Sequence, residues 1–146
     1  MPLARGALER LLPHRGAMCL LDSVVSWDDG TIECRASSHR ATGNPLRLDG
    51  RLPAVAAIEY AAQAMAVHGG LRAAPGQNAP PGYLVAVRDA RLLVATLDDI
   101  AADLEVSATC QVADATGLVY TFTVQAGGRR IADGRATVVL RPRSES

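Results

Sequence analysis

The chain has 146 residues and a formal net charge of zero, its 15 acidic residues balanced by 15 basic ones that are all Arg. At this length a single domain over residues 1–146 is expected. The neutral balance gives no global attraction to nucleic acid or to an anionic membrane, so neither is expected as a partner. Hydrophobic residues make up 49 % of the chain but aromatic ones only 3 %, so Ala and Val must supply most of the core.

In chain order, Leu8 to Leu12 reads as a short helical turn stopped by Pro13. Ser23 to Ser26 and Thr31 to Ser37 read as two strands around the turn Trp27-Asp28-Asp29-Gly30, because Asp-Gly is a hairpin signal. His39 to Arg51 is polar and rich in Gly and Pro, which predicts a loop. Leu52 to Gly70 is almost wholly apolar and predicts one long helix. Pro53 suits its first turn, and Gly69-Gly70 is expected to stop it after about His68. No polar residue stands where an N-cap is needed.

Ala73 to Gly82 reads as a Pro/Gly/Asn loop. Four strands follow, at Tyr83 to Ala95, Asp103 to Ala113, Leu118 to Ala126 and Arg130 to Leu140. Hairpin turns are expected at Asp114-Ala115-Thr116-Gly117 and at Gly127-Gly128, with a bulge near Gly134. Arg141 to Ser146 reads as a frayed polar tail. A helix apolar nearly all round must be enclosed, and one long antiparallel sheet curling round it would do so. The expectation is an α+β chain in the hotdog arrangement, one central helix wrapped by a curved antiparallel sheet.

That helix carries one carboxylate, Glu59, with Gln63 one turn later on the same face. An acid among Ala, Val, Ile and Met side chains is costly to keep charged, so its pKa should rise. A raised carboxyl pKa is what a general acid near neutral pH needs. Cys19, Cys34 and Cys110 are isolated and form no CxxC pair, so no disulfide framework or zinc site follows. They read as buried, inert thiols in a reducing compartment. His14, His39 and His68 lack metal-ligand spacing, and neither a metal nor a cofactor is expected. No signal-peptide pattern and no apolar run near the ~20 residues of a membrane span is present, so the chain reads as cytoplasmic.

Three motifs in order carry a resemblance. Leu12-Pro13-His14-Arg15, followed by Met18-Cys19-Leu20-Leu21-Asp22, resembles the LPHRxPxLLxD signature of the 3-hydroxyacyl-[acyl carrier protein] dehydratases of fatty-acid synthesis. Leu52 to Glu59, continued by Ala62-Gln63-Ala64, resembles that family's central-helix motif MPGVLxxEAxAQ. Val87 to Leu92 resembles the IDKARF strand. The wording NPLRLDGRLP and IEYAAQAMAVHG is similar to the dehydratase-like proteins of aryl polyene and xanthomonadin-type pigment clusters.

The resemblance implies elimination of water from 3-hydroxyacyl thioesters to give trans-2-enoyl thioesters. The acyl chain would arrive on the phosphopantetheine of an acyl carrier protein. In the family a His in a GHFPG loop removes the C2 proton, and a helix acid of the other subunit protonates the departing hydroxyl. Glu59 falls on the acid position and Gln63 on the family Gln. Backbone groups at Ala54, Val55 and Ala56 fall where the thioester carbonyl is polarised. The His does not carry over. Its place falls at Asn44 or Pro45, and neither side chain is a base.

Three readings follow from that departure. The chain pairs with a homologous hotdog subunit that brings the His. Alternatively it acts as a homodimer in which His39, a few residues upstream, serves as base. In the third reading it is a catalytically silent binding subunit. A hotdog acyl thioesterase is the alternative enzyme, against which the LPHR signature argues. His14 reads as structural, His68 as a helix C-terminal residue interacting with the dipole, and Asp22 as closing the N-terminal loop. Arg88, Arg91, Arg129 and Arg130 form a candidate basic patch for the acidic carrier protein.

Overall fold

The computed structural model describes residues 3–4, 6, 19–72, 82–114 and 116–140, with backbone only at 3–4, 82–85 and 140. The Leu8–Leu12 turn, the LPHR signature with His14, the loop over 73–81 and the tail after 140 lie outside the described residues.

Seven strands form one antiparallel sheet: β1 (Leu3–Ala4), β2 (Ser23–Trp27), β3 (Thr31–Ala36), β4 (Gly82–Leu92), β5 (Leu104–Ala113), β6 (Gly117–Ala126) and β7 (Arg129–Leu140). Their order across the sheet is β1-β2-β3-β5-β6-β7-β4. A 3-10 turn at Ser38–Arg40 follows β3, and a long helix, α1 (Ala56–Arg72), precedes β4. This is the expected α+β hotdog architecture.

The turns form where side chains and glycines prescribe them. Asp28 Oδ1 accepts from the Gly30 and Thr31 N–H groups, both at 2.8 Å, and this Asx-turn reverses the chain between β2 and β3. Asp114 does the same with Thr116 and Gly117 between β5 and β6. Gly127 and Gly128 both have positive φ, as a two-residue hairpin connecting β6 to β7 requires.

Alternate residues of the strands face the helix. Ile32, Cys34 and Ala36 on β3, Leu104, Val106 and Ala108 on β5, and Tyr120, Phe122 and Val124 on β6 are all buried. Ala57, Ala61, Ala64 and Val67 of α1 meet them in one hydrophobic cluster. Burial pushes the Cys34 thiol up to about 12, so it stays protonated and inert. Cys19 is buried as well, whereas Cys110 is partly exposed.

Four local expectations change. Pro53 lies before the helix, in an isolated bridge to Thr96, and a 3-10 turn over residues 53–58 leads into α1. The missing N-cap is replaced from the side. The segment 95–98 pairs with 52–54 through Ala54 N–H to Ala95 O and Leu97 N–H to Leu52 O, and Asp98 Oδ1 accepts from Leu52 N–H at 2.8 Å.

Gly69-Gly70 does not stop the helix, which runs on to Arg72 because Leu71 packs against the core. The last strand, β7, bulges at Ile131, and opposite Gly134 itself the bulge lies in β4. Asp89 and Ala90 together oppose the single residue Gly134 there, one residue more than the ladder needs, and Asp89 takes φ +54°. Finally, α1 is not enclosed. The sheet covers one side, and a stripe of Val55, Ile58, Glu59, Ala62, Ala66 and Gly69 stays partly or fully exposed, with Val55 at 55 %.

Candidate active site

Glu59 stands in the first turn of α1, half-buried on this open stripe. Among the described residues its carboxyl has no hydrogen bond and no ion pair. One turn earlier on the same face is Val55. Of the three backbone donors expected to polarise a carbonyl, Ala54 N–H is taken by Ala95 O and Ala56 N–H by Pro53 O, both at 3.0 Å. The Val55 N–H meets no acceptor among the described residues. Glu59 and Val55, whose N–H has no acceptor among the described residues, thus share the open stripe, and an acid and a backbone donor are the groups that protonating a leaving group and polarising a nearby carbonyl require.

The other expected site residues point elsewhere. His39 is fully buried, and its Nε2 is 3.0 Å from Ile100 O. A carbonyl only accepts, so Nε2 carries the proton and donates. That leaves Nδ1 as a buried lone pair with no hydrogen-bond partner. Burial pushes the imidazole below its usual range, partly offset by the Ile100 carbonyl. In this position His39 ties the 38–40 turn to the segment before β5 and presents no nitrogen to Glu59 or to solvent. Arg40 reinforces the same junction, donating to Ala101 O and to the Asp103 carboxylate.

Gln63 is 3 % exposed, and its Oε1 accepts from Leu20 N–H at 2.9 Å. It holds the 19–22 segment on the helix. Asn44, which with Pro45 shares the place of the family base, is 6 % exposed and engages both ends of its amide. Nδ2 donates to Ser38 O at 2.9 Å and to the Tyr60 hydroxyl at 3.1 Å, while Oδ1 accepts from Leu46 N–H at 2.8 Å. Ser38 Oγ donates to Leu20 O and lies 2.6 Å from the Tyr60 hydroxyl.

Tyr60 is the residue that sequence reasoning missed. The available signal was a lone aromatic with a polar tip on an Ala-rich helix, since a buried Tyr hydroxyl needs a partner.

His68 is not a helix-end residue. It is fully buried between Asp28 O, 2.8 Å from Nε2, and the Tyr120 hydroxyl, 2.7 Å from Nδ1. The carbonyl again fixes the tautomer: Nε2–H donates to Asp28 O, and Nδ1 accepts from Tyr120. Burial lowers the His68 pKa and pushes the Tyr120 hydroxyl up to about 12.

Asp22 Oδ2 accepts from Ser37 Oγ at 2.6 Å and so closes the segment before β2 against the end of β3. Of the candidate basic patch, Arg91 makes a two-point pair with Asp133, and Arg130 touches the same carboxylate. Arg88 and Arg129 make no ion pair among the described residues. No group of metal-ligating side chains occurs there either.

Residues 6–146 match the family model of the ApeP-like dehydratases, described as ApeP dehydratase. The chain belongs to the ApeP-like dehydratase family.

Solved structures show the same fold. A chain of the dehydratase heterocomplex ApeI:P from Xenorhabdus doucetiae superposes with a TM-score of 0.80 at 24 % identity, over 93 % of this chain and 91 % of that one. The thioesterase HI1161 from Haemophilus influenzae gives 0.68 at 14 % identity, over 98 % and 94 %. A mutant of the thioesterase PA1618 from Pseudomonas aeruginosa gives 0.59 at 17 %, over 82 % and 80 %. No curated protein matches the chain. No described helix is long and apolar enough to cross a membrane.

Proposed function

We propose that this ApeP-like dehydratase is the acid-supplying subunit of a 3-hydroxyacyl-[acyl carrier protein] dehydratase in aryl polyene synthesis, working in the cytoplasm. Its base comes from a homologous hotdog partner. The observation that carries this reading is that, among the described residues, the uncovered helix stripe holds one available acid and no available base. Among the described residues Glu59 is unpaired and open on the uncovered helix stripe, whereas His39 and His68 are buried and hydrogen-bonded and Asn44 is not basic.

In the reaction, the partner's base takes the C2 proton of the 3-hydroxyacyl thioester. The electron pair of that C–H bond forms the C2–C3 double bond as the C3–O bond breaks. Glu59 gives a proton to the departing hydroxyl, which leaves as water. The Val55 N–H stabilises the charge that builds on the thioester oxygen. The acyl chain lies along the apolar stripe of Ile58, Ala62 and Ala66, covered by the partner.

The Xenorhabdus protein is a dehydratase heterocomplex, and that supports a mixed pair here. The direct test is hydration of a crotonyl thioester by the chain alone and co-expressed with a base-bearing hotdog subunit. Activity is expected only in the pair, with Glu59→Gln lowering kcat by at least ~100-fold, the usual scale for a general acid. Undiminished activity of the Glu59→Gln pair would leave the chain a silent subunit.

A further inference from the structure

The polar network around Tyr60 has a direction. Ser38 directs its only hydroxyl proton to Leu20 O, so the 2.6 Å contact with Tyr60 uses the Tyr60 proton, donated to Ser38 Oγ. The Tyr60 oxygen then accepts from Asn44 Nδ2, whose second proton goes to Ser38 O. Asn44 Oδ1 takes the Leu46 N–H. Leu20, at the far end, is tied back to the helix through Gln63.

Leu20, the 38–46 segment and the start of α1 are thereby closed into one largely buried ring of hydrogen bonds. Position 44 must supply two donors and one acceptor at once. An amide does this, whereas a neutral imidazole has one donor and one acceptor and would leave a buried group unpaired. Tyr60 stands where the motif the chain resembles carries Ala, and Asn44 is one of the two positions, with Pro45, on which that family's His falls. The two departures meet in a single hydrogen bond.

We propose that Tyr60 and Asn44 form a lock that retires the loop side of this chain. The chain then supplies a helix acid to one site of a pair and nothing to the site its own 42–47 loop borders. Tyr60 is the positioning residue of the lock. The inference rests on the mixed-pair reading and adds to it that the asymmetry is built into the fold of this chain, not only into the absence of one histidine. Restoring the histidine alone therefore does not restore a base, because the side chain at 44 is drawn inward.

The test uses the chain without a partner. Asn44→His is expected to show no hydration of crotonyl-pantetheine. Asn44→His combined with Tyr60→Phe is expected to rise at least tenfold above it and to fall back when Glu59→Gln is added. Activity in Asn44→His alone overturns the lock. So does a silent double variant that melts at the wild-type temperature.

Amide hydrogen exchange provides a readout independent of any activity. Tyr60→Phe should speed exchange at Leu46 at least tenfold while leaving the amides of the 64–68 turn of α1 unchanged, and an unchanged Leu46 overturns the proposal. Inactivity of the wild-type chain together with a base-bearing partner would sink the mixed-pair reading, and the exchange result then judges the lock by itself.

Discussion

At Gly134 the backbone of β7 passes under the ring of Phe122 and against the β4 bulge. A Cβ there would come within 2.8 Å of Phe122 Cζ and 3.2 Å of Ala90 Cα. The backbone atom cannot yield, and the ring is held in the core. Gly134→Ala is therefore expected to destabilise the fold by about 1–3 kcal/mol, the usual range for forcing a methyl into a packed site. Urea denaturation with an unchanged m-value would measure it. The sequence pointed to Gly134 as an anomaly in a strand but could not say which strand bulged opposite it, since the extra residue there belongs to the neighbour it pairs with. At Asn44 and Tyr60 the limit is similar. Each is legible as an unusual choice, yet only folding brings them within 3.1 Å.

The helix is the element the sequence described best and misjudged at both ends. Its apolar run and its carboxylate are visible in the letters, but its boundaries depend on contacts with distant residues. At the start, Asp98 takes the place of an N-cap by accepting from Leu52 N–H and pairing with Arg51. Those contacts hold the Asp98 carboxyl below the usual range, the Leu52 N–H most of all. Asp98→Ala should lower Tm and speed amide exchange at Leu52 and Ala54 more than in the last turn of α1. Equal acceleration along the whole helix would count against this anchoring. At the far end, Leu71 on the core outweighs two glycines, each costing about 1 kcal/mol in a helix interior.

Across the whole molecule, two histidines couple stability to pH. His39 and His68 are both buried, and both have folded-state pKa values below 6.5, chiefly through desolvation. The unfolded chain takes up protons near 6.5, where the folded chain does not. Stability is thus whole above pH 7 and falls as the pH drops through 6.5 towards the folded values. The carboxylates Asp28, Asp98, Asp114 and Asp133 are held below 3.8, so their contributions are lost only at lower pH. Tm is expected to drop between pH 7.5 and 5.5, and His68→Gln, whose amide can donate to Asp28 O and accept from Tyr120, should flatten the drop. A Tm independent of pH over this interval would contradict the assignment of both rings.

The sequence by itself determined the α+β class, the order of the helix and the six strands after β1, the hairpin turns and the place of one carboxylate on the helix. These are local properties: alternation with period two, an Ala-rich apolar run, Asp and Gly at reversals, and one carboxylate among small side chains. The tertiary structure decided which polar groups remain available. His39, Gln63 and Asn44 look like site residues in the letters and His68 like a helix-end residue, and each is engaged by a backbone group or hydroxyl 16 or more residues away in the chain. Whether a buried polar group has a partner depends on where the chain returns in space. The same holds for the open stripe of α1. A helix apolar on every side must be covered everywhere, but this sheet covers one side only, and that leaves Glu59 facing outward.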